Sequence, residues 1–109
     1  MILVDANVAL EYKKIPLFFH KSQIAFTGPV LGEIKRLAGE ENEKVLLTLV
    51  EGVKVVETEA KNADLSIVEA ASKYRCSVAT LDKQLIGKLK KGGITVLKSR
   101  GEIIQALND

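Results

Sequence analysis

The sequence predicts an α/β fold: a three-layer α/β/α sandwich around a mostly parallel sheet of about five strands. Three observations predict it. Short apolar runs rich in β-branched residues recur along the chain, amphipathic helical patterns fill the gaps, and glycines stand where helices hand over to strands. Strands alternating with helices form βαβ units, whose right-handed crossovers build a parallel sheet with helices on both faces.

The first run, Ile2-Leu3-Val4, is continuous and apolar, as in a strand buried on both faces, and it ends at Asp5. Similar strands are expected at Gln23–Phe26, Val53–Val56, Ser77–Thr80 and Ile94–Leu97. Between them lie helical stripes. They comprise Val30, Ile34, Leu37 and Ala38; Val45, Leu46, Leu49 and Val50; Ile67, Val68, Ala71 and Tyr74; Leu85, Ile86 and Leu89; and Ile103, Ile104 and Leu107. Gly52 and the pair Gly92-Gly93 are expected as left-handed C-caps. With no repeat, linker or low-complexity tract, residues 1–109 read as a single domain.

Composition narrows the class of protein. The 109 residues include 16 Lys and Arg against 14 Asp and Glu, with 47% hydrophobic residues, enough for a core without covalent staples. The single cysteine, Cys76, permits no internal disulfide and no cysteine-based zinc site, and reads as a small apolar filler. The longest uncharged stretch, Ser22–Gly32, is far short of the ~20 residues that cross a bilayer, and the N-terminus lacks a basic leader. The expectation is a cytoplasmic protein without a membrane partner.

The net charge of +2 conceals an asymmetry. Glu40–Glu69 holds eight acids and three lysines, whereas Lys83–Arg100 holds six basic residues and no acid. The basic third fits either a solvated helix face or a patch that contacts phosphates.

Ligands of open parallel sheets collect at the carboxyl ends of the strands, and four acids are expected there. Asp5 directly follows the first strand, and Asp82 follows the strand Ser77–Thr80. Asp64 opens the helix after Val53–Val56, with Ile67, Val68 and Ala71 at +3, +4 and +7, so it stands on the inward face. Glu33 flanks the stripe of Val30, Ile34 and Leu37. Each acid has an ordinary explanation: Asp5 and Asp82 as N-caps, Asp64 as a favourable charge near a helix N-terminus, Glu33 as a partly buried surface residue. Their convergence argues for more. Carboxylates crowded together raise one another's pKa, and a divalent cation keeps them ionised. All-oxygen ligation suits Mg²⁺ or Mn²⁺, the ions of phosphodiester hydrolysis.

The blocks Ile2-Leu3-Val4-Asp5-Ala6-Asn7, Pro29-Val30-Leu31-Gly32-Glu33-Ile34, Ala63-Asp64-Leu65-Ser66-Ile67 and Ala79-Thr80-Leu81-Asp82-Lys83-Gln84-Leu85 resemble the PIN-domain nucleases across essentially the whole chain. The order of the four acidic blocks is the specific part. The last block, with its basic helix and Gly-Gly-Ile-Thr-Val-Leu, looks most like archaeal relatives of the small-subunit rRNA-processing PIN nucleases, with VapC-type toxins a more distant comparison. The resemblance implies a Mg²⁺- or Mn²⁺-dependent endoribonuclease acting on single-stranded RNA or rRNA. Asp5, Glu33, Asp64 and Asp82 would form its catalytic metal site. Asn7 and Thr80 match supporting polar positions, and Lys83, Lys88, Lys90 and Lys91 would hold flanking RNA phosphates. Ala6 and Gln84 depart from the pattern, standing where many members carry a hydroxyl residue and a further acid.

Those departures keep a second hypothesis open: a non-catalytic RNA-binding or ribosome-assembly module on the same fold. A phospho-receiver domain would need an aspartate at the end of its central strand, whereas Val53–Val56 runs into Glu57. Tyr12, Phe18 and Phe19 fit either a core and dimer contact or a base-stacking surface, and His20 has no acid nearby to orient it. A homodimer, an antitoxin and a ribosome-assembly factor are the protein partners that these readings imply.

Overall fold

The computed structural model describes residues 1–11 and 17–108. Strands β1 (Ile2–Val4), β2 (Ile24–Thr27), β3 (Lys54–Val56), β4 (Ser77–Ala79) and β5 (Val96–Leu97) form one sheet in the order β3-β2-β1-β4-β5. Every neighbouring pair is parallel. Helices α1 (Ala6–Leu10), α2 (Gly28–Glu40), α3 (Lys44–Leu49), α4 (Ala63–Tyr74), α5 (Lys83–Lys91) and α6 (Arg100–Asn108) cover both faces, giving the three layers that the sequence predicts.

Burial explains the composition of the strands. All of β1 and β2 are buried, as continuous apolar runs require, and Leu3 is in register with Ala25 on one side and Val78 on the other. The edge strand β3 instead exposes Lys54 and Val55 and buries Val56. Phe26, Ile34, Leu46, Ile67, Leu85, Leu89 and Ile103 are the large side chains that fill the core between layers. Each stabilises the fold by about 1.5–3 kcal/mol relative to an exposed position.

The strand order fixes where the chain turns back on itself. The chain moves outward from β1 through β2 to β3, then crosses to β4 on the other side of β1 and on to β5. The carboxyl ends of β1 and β4 therefore flank the switch point, where two connections diverge and where open parallel sheets bind their ligands.

Several elements differ from expectation in detail. The last strand is only Val96–Leu97, because the Ile94 N–H is drawn to Leu89 O at 3.0 Å and so belongs to the end of α5. Gly52 is left-handed at φ 82°, but of the glycine pair only Gly93 is, at φ 73°. A 3-10 segment, Leu17–Gln23, broken at His20, precedes β2 without a periodic signal. Helix α4 ends on Arg75 at φ 51°, a left-handed cap with no glycine to announce it. Tyr74 and Val45 fall outside the buried stripes to which their spacing assigns them. Tyr74 instead carries the Lys73 ammonium 5.4 Å from its ring centre. Among the described residues, no helix is long and apolar enough to cross a membrane.

Candidate active site

Asp5 is built into three structures at once. Its N–H donates to Ala79 O at 3.0 Å, extending the β1–β4 pairing, and its carbonyl accepts from Val8 and Ala9 as α1 begins. Its Oδ1 accepts the Ala6 N–H at 2.8 Å, capping that helix, while Oδ2 accepts the Thr80 hydroxyl at 2.6 Å. The residue is 5% exposed. Burial raises the carboxyl pKa above its ordinary value. The bonds from Thr80 and Ala6 oppose that rise, and repulsion from Asp64 and Asp82 adds to it. Three carboxylates thus share one electrostatic neighbourhood at the switch point.

Asp82 is the N-cap of α5, its Oδ1 accepting from Gln84 at 2.9 Å and Leu85 at 3.3 Å. Thr80, fully buried, links it to Asp5: the same hydroxyl oxygen that donates to Asp5 accepts the Asp82 N–H at 3.2 Å. Asn7 Oδ1 accepts the Leu81 N–H at 3.4 Å, a weaker tie between α1 and the turn after β4. Capping and gathering are therefore not alternatives here, because Asp5 and Asp82 do both.

Asp64 lies in the first turn of α4, capped by Asn62, whose Oδ1 accepts the Leu65 N–H at 3.1 Å. The helix buries Ser66, Ile67, Ala70 and Ala71, and Asp64 is half-buried at the end of that face where it reaches the sheet edge. Glu33 is likewise half-buried on α2, beside the buried Val30 and Ile34.

The donor set fits a hard divalent cation: all ligating atoms available from these acids are oxygens, and no ion pair neutralises Asp5, Asp64 or Asp82 among the described residues. As they stand, no three Asp, Glu, His or Cys side chains among the described residues are close enough to hold one ion. Shared ligation requires the carboxylates to close up, which their mutual repulsion opposes until a cation is bound.

The lysines are spread out. Lys83 is the first residue of α5, next to Asp82, whereas Lys88, Lys90 and Lys91 occupy its last turn, roughly 10 Å away along the axis and toward the opposite edge of the sheet. All four are exposed. Hydrogen bonding to Lys98, and then repulsion by it, lowers the Lys90 pKa below the usual lysine value.

Tyr12 and the Phe19 side chain lie outside the described residues, and Phe18 is partly buried against the core. Cys76 is half-buried, and burial pushes its thiol pKa up, which suits a filler. Sequence reasoning missed Thr27 and Ser66. Both are buried, and their hydroxyls meet at 2.7 Å. The available signal was a threonine directly before Gly28-Pro29, where a helix starts, and a serine inside an apolar stripe.

A parallel sheet with Asp5 and Asp82 joined through Thr80 at its switch point, and Asp64 near enough to repel Asp5, defines the chain as an α/β protein with an acidic sheet edge. In an alignment of 84 residues that covers 72% of this chain, it is 39% identical to Ribonuclease VapC9 of Archaeoglobus fulgidus. It spans 62% of that relative, less than two thirds of the relative's own length. Its fold matches the crystal structure of PAE2754 from Pyrobaculum aerophilum with a TM-score of 0.72, covering 98% of this chain and 96% of that one at 18% identity. No known family model matches the chain. The resemblance to the PIN-domain nucleases stands, and the relative that carries it is of the VapC type.

Proposed function

We propose that this protein is a Mg²⁺- or Mn²⁺-dependent endoribonuclease that hydrolyses phosphodiester bonds in single-stranded RNA. The observation that carries this reading is Asp5, buried at the switch point and repelled by Asp64 and Asp82. The similarity to Ribonuclease VapC9 supports RNA as the substrate, and by the same route an antitoxin-like protein as a partner. A place in rRNA processing rests on the sequence resemblance alone.

In this reading Asp5, Asp64 and Asp82 would hold the ion, with Glu33 as a direct or water-mediated ligand. When bound, such an ion would supply polarisation of a scissile phosphate and a lowered pKa for an attacking water. The chain's own contribution is geometric. Thr80 holds Asp5 Oδ2, leaving the Asp5 carboxylate one orientation, and the α5 cap holds Asp82 beside it. Lys83, next to Asp82, would hold a phosphate flanking the scissile one, and Lys88, Lys90 and Lys91, in the last turn of the same helix, would hold phosphates farther along the RNA.

The test is cleavage of a labelled single-stranded RNA with Mn²⁺, with EDTA, and by Asp5→Asn with Mn²⁺. Cleavage confined to the wild-type protein with Mn²⁺ is the expected result. RNA bound equally in all three conditions and cut in none overturns it in favour of a binding module.

A further inference from the structure

Two buried hydroxyls, not part of the acidic set, join the elements that carry Glu33 and Asp64. Ser66 Oγ donates to Ala63 O at 2.7 Å, which uses its only proton, so the 2.7 Å contact with Thr27 is a bond donated by Thr27 Oγ1. Thr27 Oγ1 in turn accepts the Val30 N–H at 3.3 Å, as the N-cap of α2. The result is a directed relay, Val30 N–H to Thr27 O–H to Ser66 O–H to Ala63 O. It ties the first turn of α2 to the first turn of α4. Thr27 is 1% exposed and Ser66 0%, so no water competes with the bond.

Its location gives it a role. Asp64 lies between Ala63 and Ser66, inside the turn that the relay holds, and Glu33 lies one turn beyond Val30. Thr27 is also the last residue of β2, in register with Val56 at the end of β3, so the relay anchors both helix starts to the carboxyl edge of the sheet. Thr80 does the equivalent work for Asp5 and Asp82. Asp64 and Glu33 thus stand on helices whose first turns are joined by buried hydroxyls, as Asp5 and Asp82 are joined through Thr80.

We infer that Thr27 and Ser66 are positioning residues of the metal site, setting where Asp64 and Glu33 stand relative to Asp5 and Asp82. This rests on the metal-binding reading proposed above. A purely packing role for the two hydroxyls would affect stability but not the affinity of the acids for an ion. Outer hydrogen bonds that orient ligands govern that affinity by about tenfold or more.

The experiment is a Mn²⁺ titration of the full chain followed by melting temperature, for the wild-type protein and for Thr27→Val, Ser66→Ala, their combination and Thr27→Ser. The expected result is a titration midpoint raised about tenfold in Thr27→Val and in Ser66→Ala. The combination adds little further, since either substitution alone already breaks the Thr27–Ser66 bond, and Thr27→Ser stays near the wild type. Ser66→Ala removes a single oxygen and decides the matter if Thr27→Val does not fold. Variants with a lower metal-free melting temperature but an unchanged midpoint overturn the positioning role alone. A wild-type protein that gives no Mn²⁺ response, or one that Asp82→Asn leaves unaltered, overturns the metal reading itself and the positioning role with it.

Discussion

The Thr80 hydroxyl donates to Asp5 Oδ2 across 2.6 Å, joining residues separated by most of the chain. β1 and β4 are adjacent and parallel, so residues one past each strand end come side by side, and a short hydroxyl side chain bridges them. Thr80→Val removes this donor while keeping the shape. It should cost about 1–3 kcal/mol, because a buried carboxylate oxygen loses its partner. It should also abolish RNA cleavage, and Thr80→Ser should restore both. Chemical denaturation and the cleavage assay read the two effects separately.

The raised pKa of Asp5 has a definite sign in stability. The folded protein holds this proton to higher pH than the unfolded chain does. Asp5 therefore contributes most below the ordinary aspartate pKa, and that contribution is lost as pH rises through the raised folded value. Metal-free protein should lose stability across that window, whereas Asp5→Asn should not, and Mn²⁺ should restore the wild type above it. Melting curves at a series of pH values, with and without Mn²⁺, test all three. A wild-type profile parallel to that of Asp5→Asn would contradict the account.

Asp82 offers a separation of folding from chemistry. Asn caps helices as well as Asp does, whereas Ala does not. Asp82→Ala should therefore lose about 0.5–2 kcal/mol of stability together with cleavage. Asp82→Asn should keep the metal-free stability and still lose cleavage. Comparison of the two variants by calorimetry and RNA cleavage isolates the carboxylate charge.

The position of each lysine along α5 should be visible in the salt dependence of RNA binding. Each lysine that contacts a phosphate accounts for a slope of about 0.7 in log affinity against log salt for a single strand. Lys83→Ala should lower that slope even with a short oligonucleotide. Lys88→Ala, Lys90→Ala and Lys91→Ala should lower it only when the RNA is long enough to reach the last turn of the helix. Filter binding at several salt concentrations, with two RNA lengths, measures this.

Much of this arrangement is legible in the sequence because it depends on period and order. Ile2-Leu3-Val4 followed by an acid, and Thr80-Leu81-Asp82 ahead of a helical stripe, place Asp5 and Asp82 at one edge as soon as the sheet is read as parallel. The inward lean of Asp64 follows from its spacing to Ile67 and Ala71, and the structure leaves it half-buried. Contacts between hydroxyls far apart in sequence are a different matter. The bond between Thr27 and Ser66 depends on how α4 crosses β2, and no local pattern encodes that crossing. Arg75 shows the same limit at the level of the backbone: a left-handed cap is announced by glycine, and here it falls on a residue that disfavours it.

The double duty of Asp5 and Asp82 has an evolutionary consequence. Both cap helices, so a lineage without catalysis would still need a capping side chain, Asp or Asn, at each position. Asp64 and Glu33 cap nothing, since Asn62 and Thr27 do that work for their helices. In such a lineage these two would drift first. Their side chains, rather than the better-anchored aspartates, are the ones to compare when a working member of this lineage is to be told from a retired one.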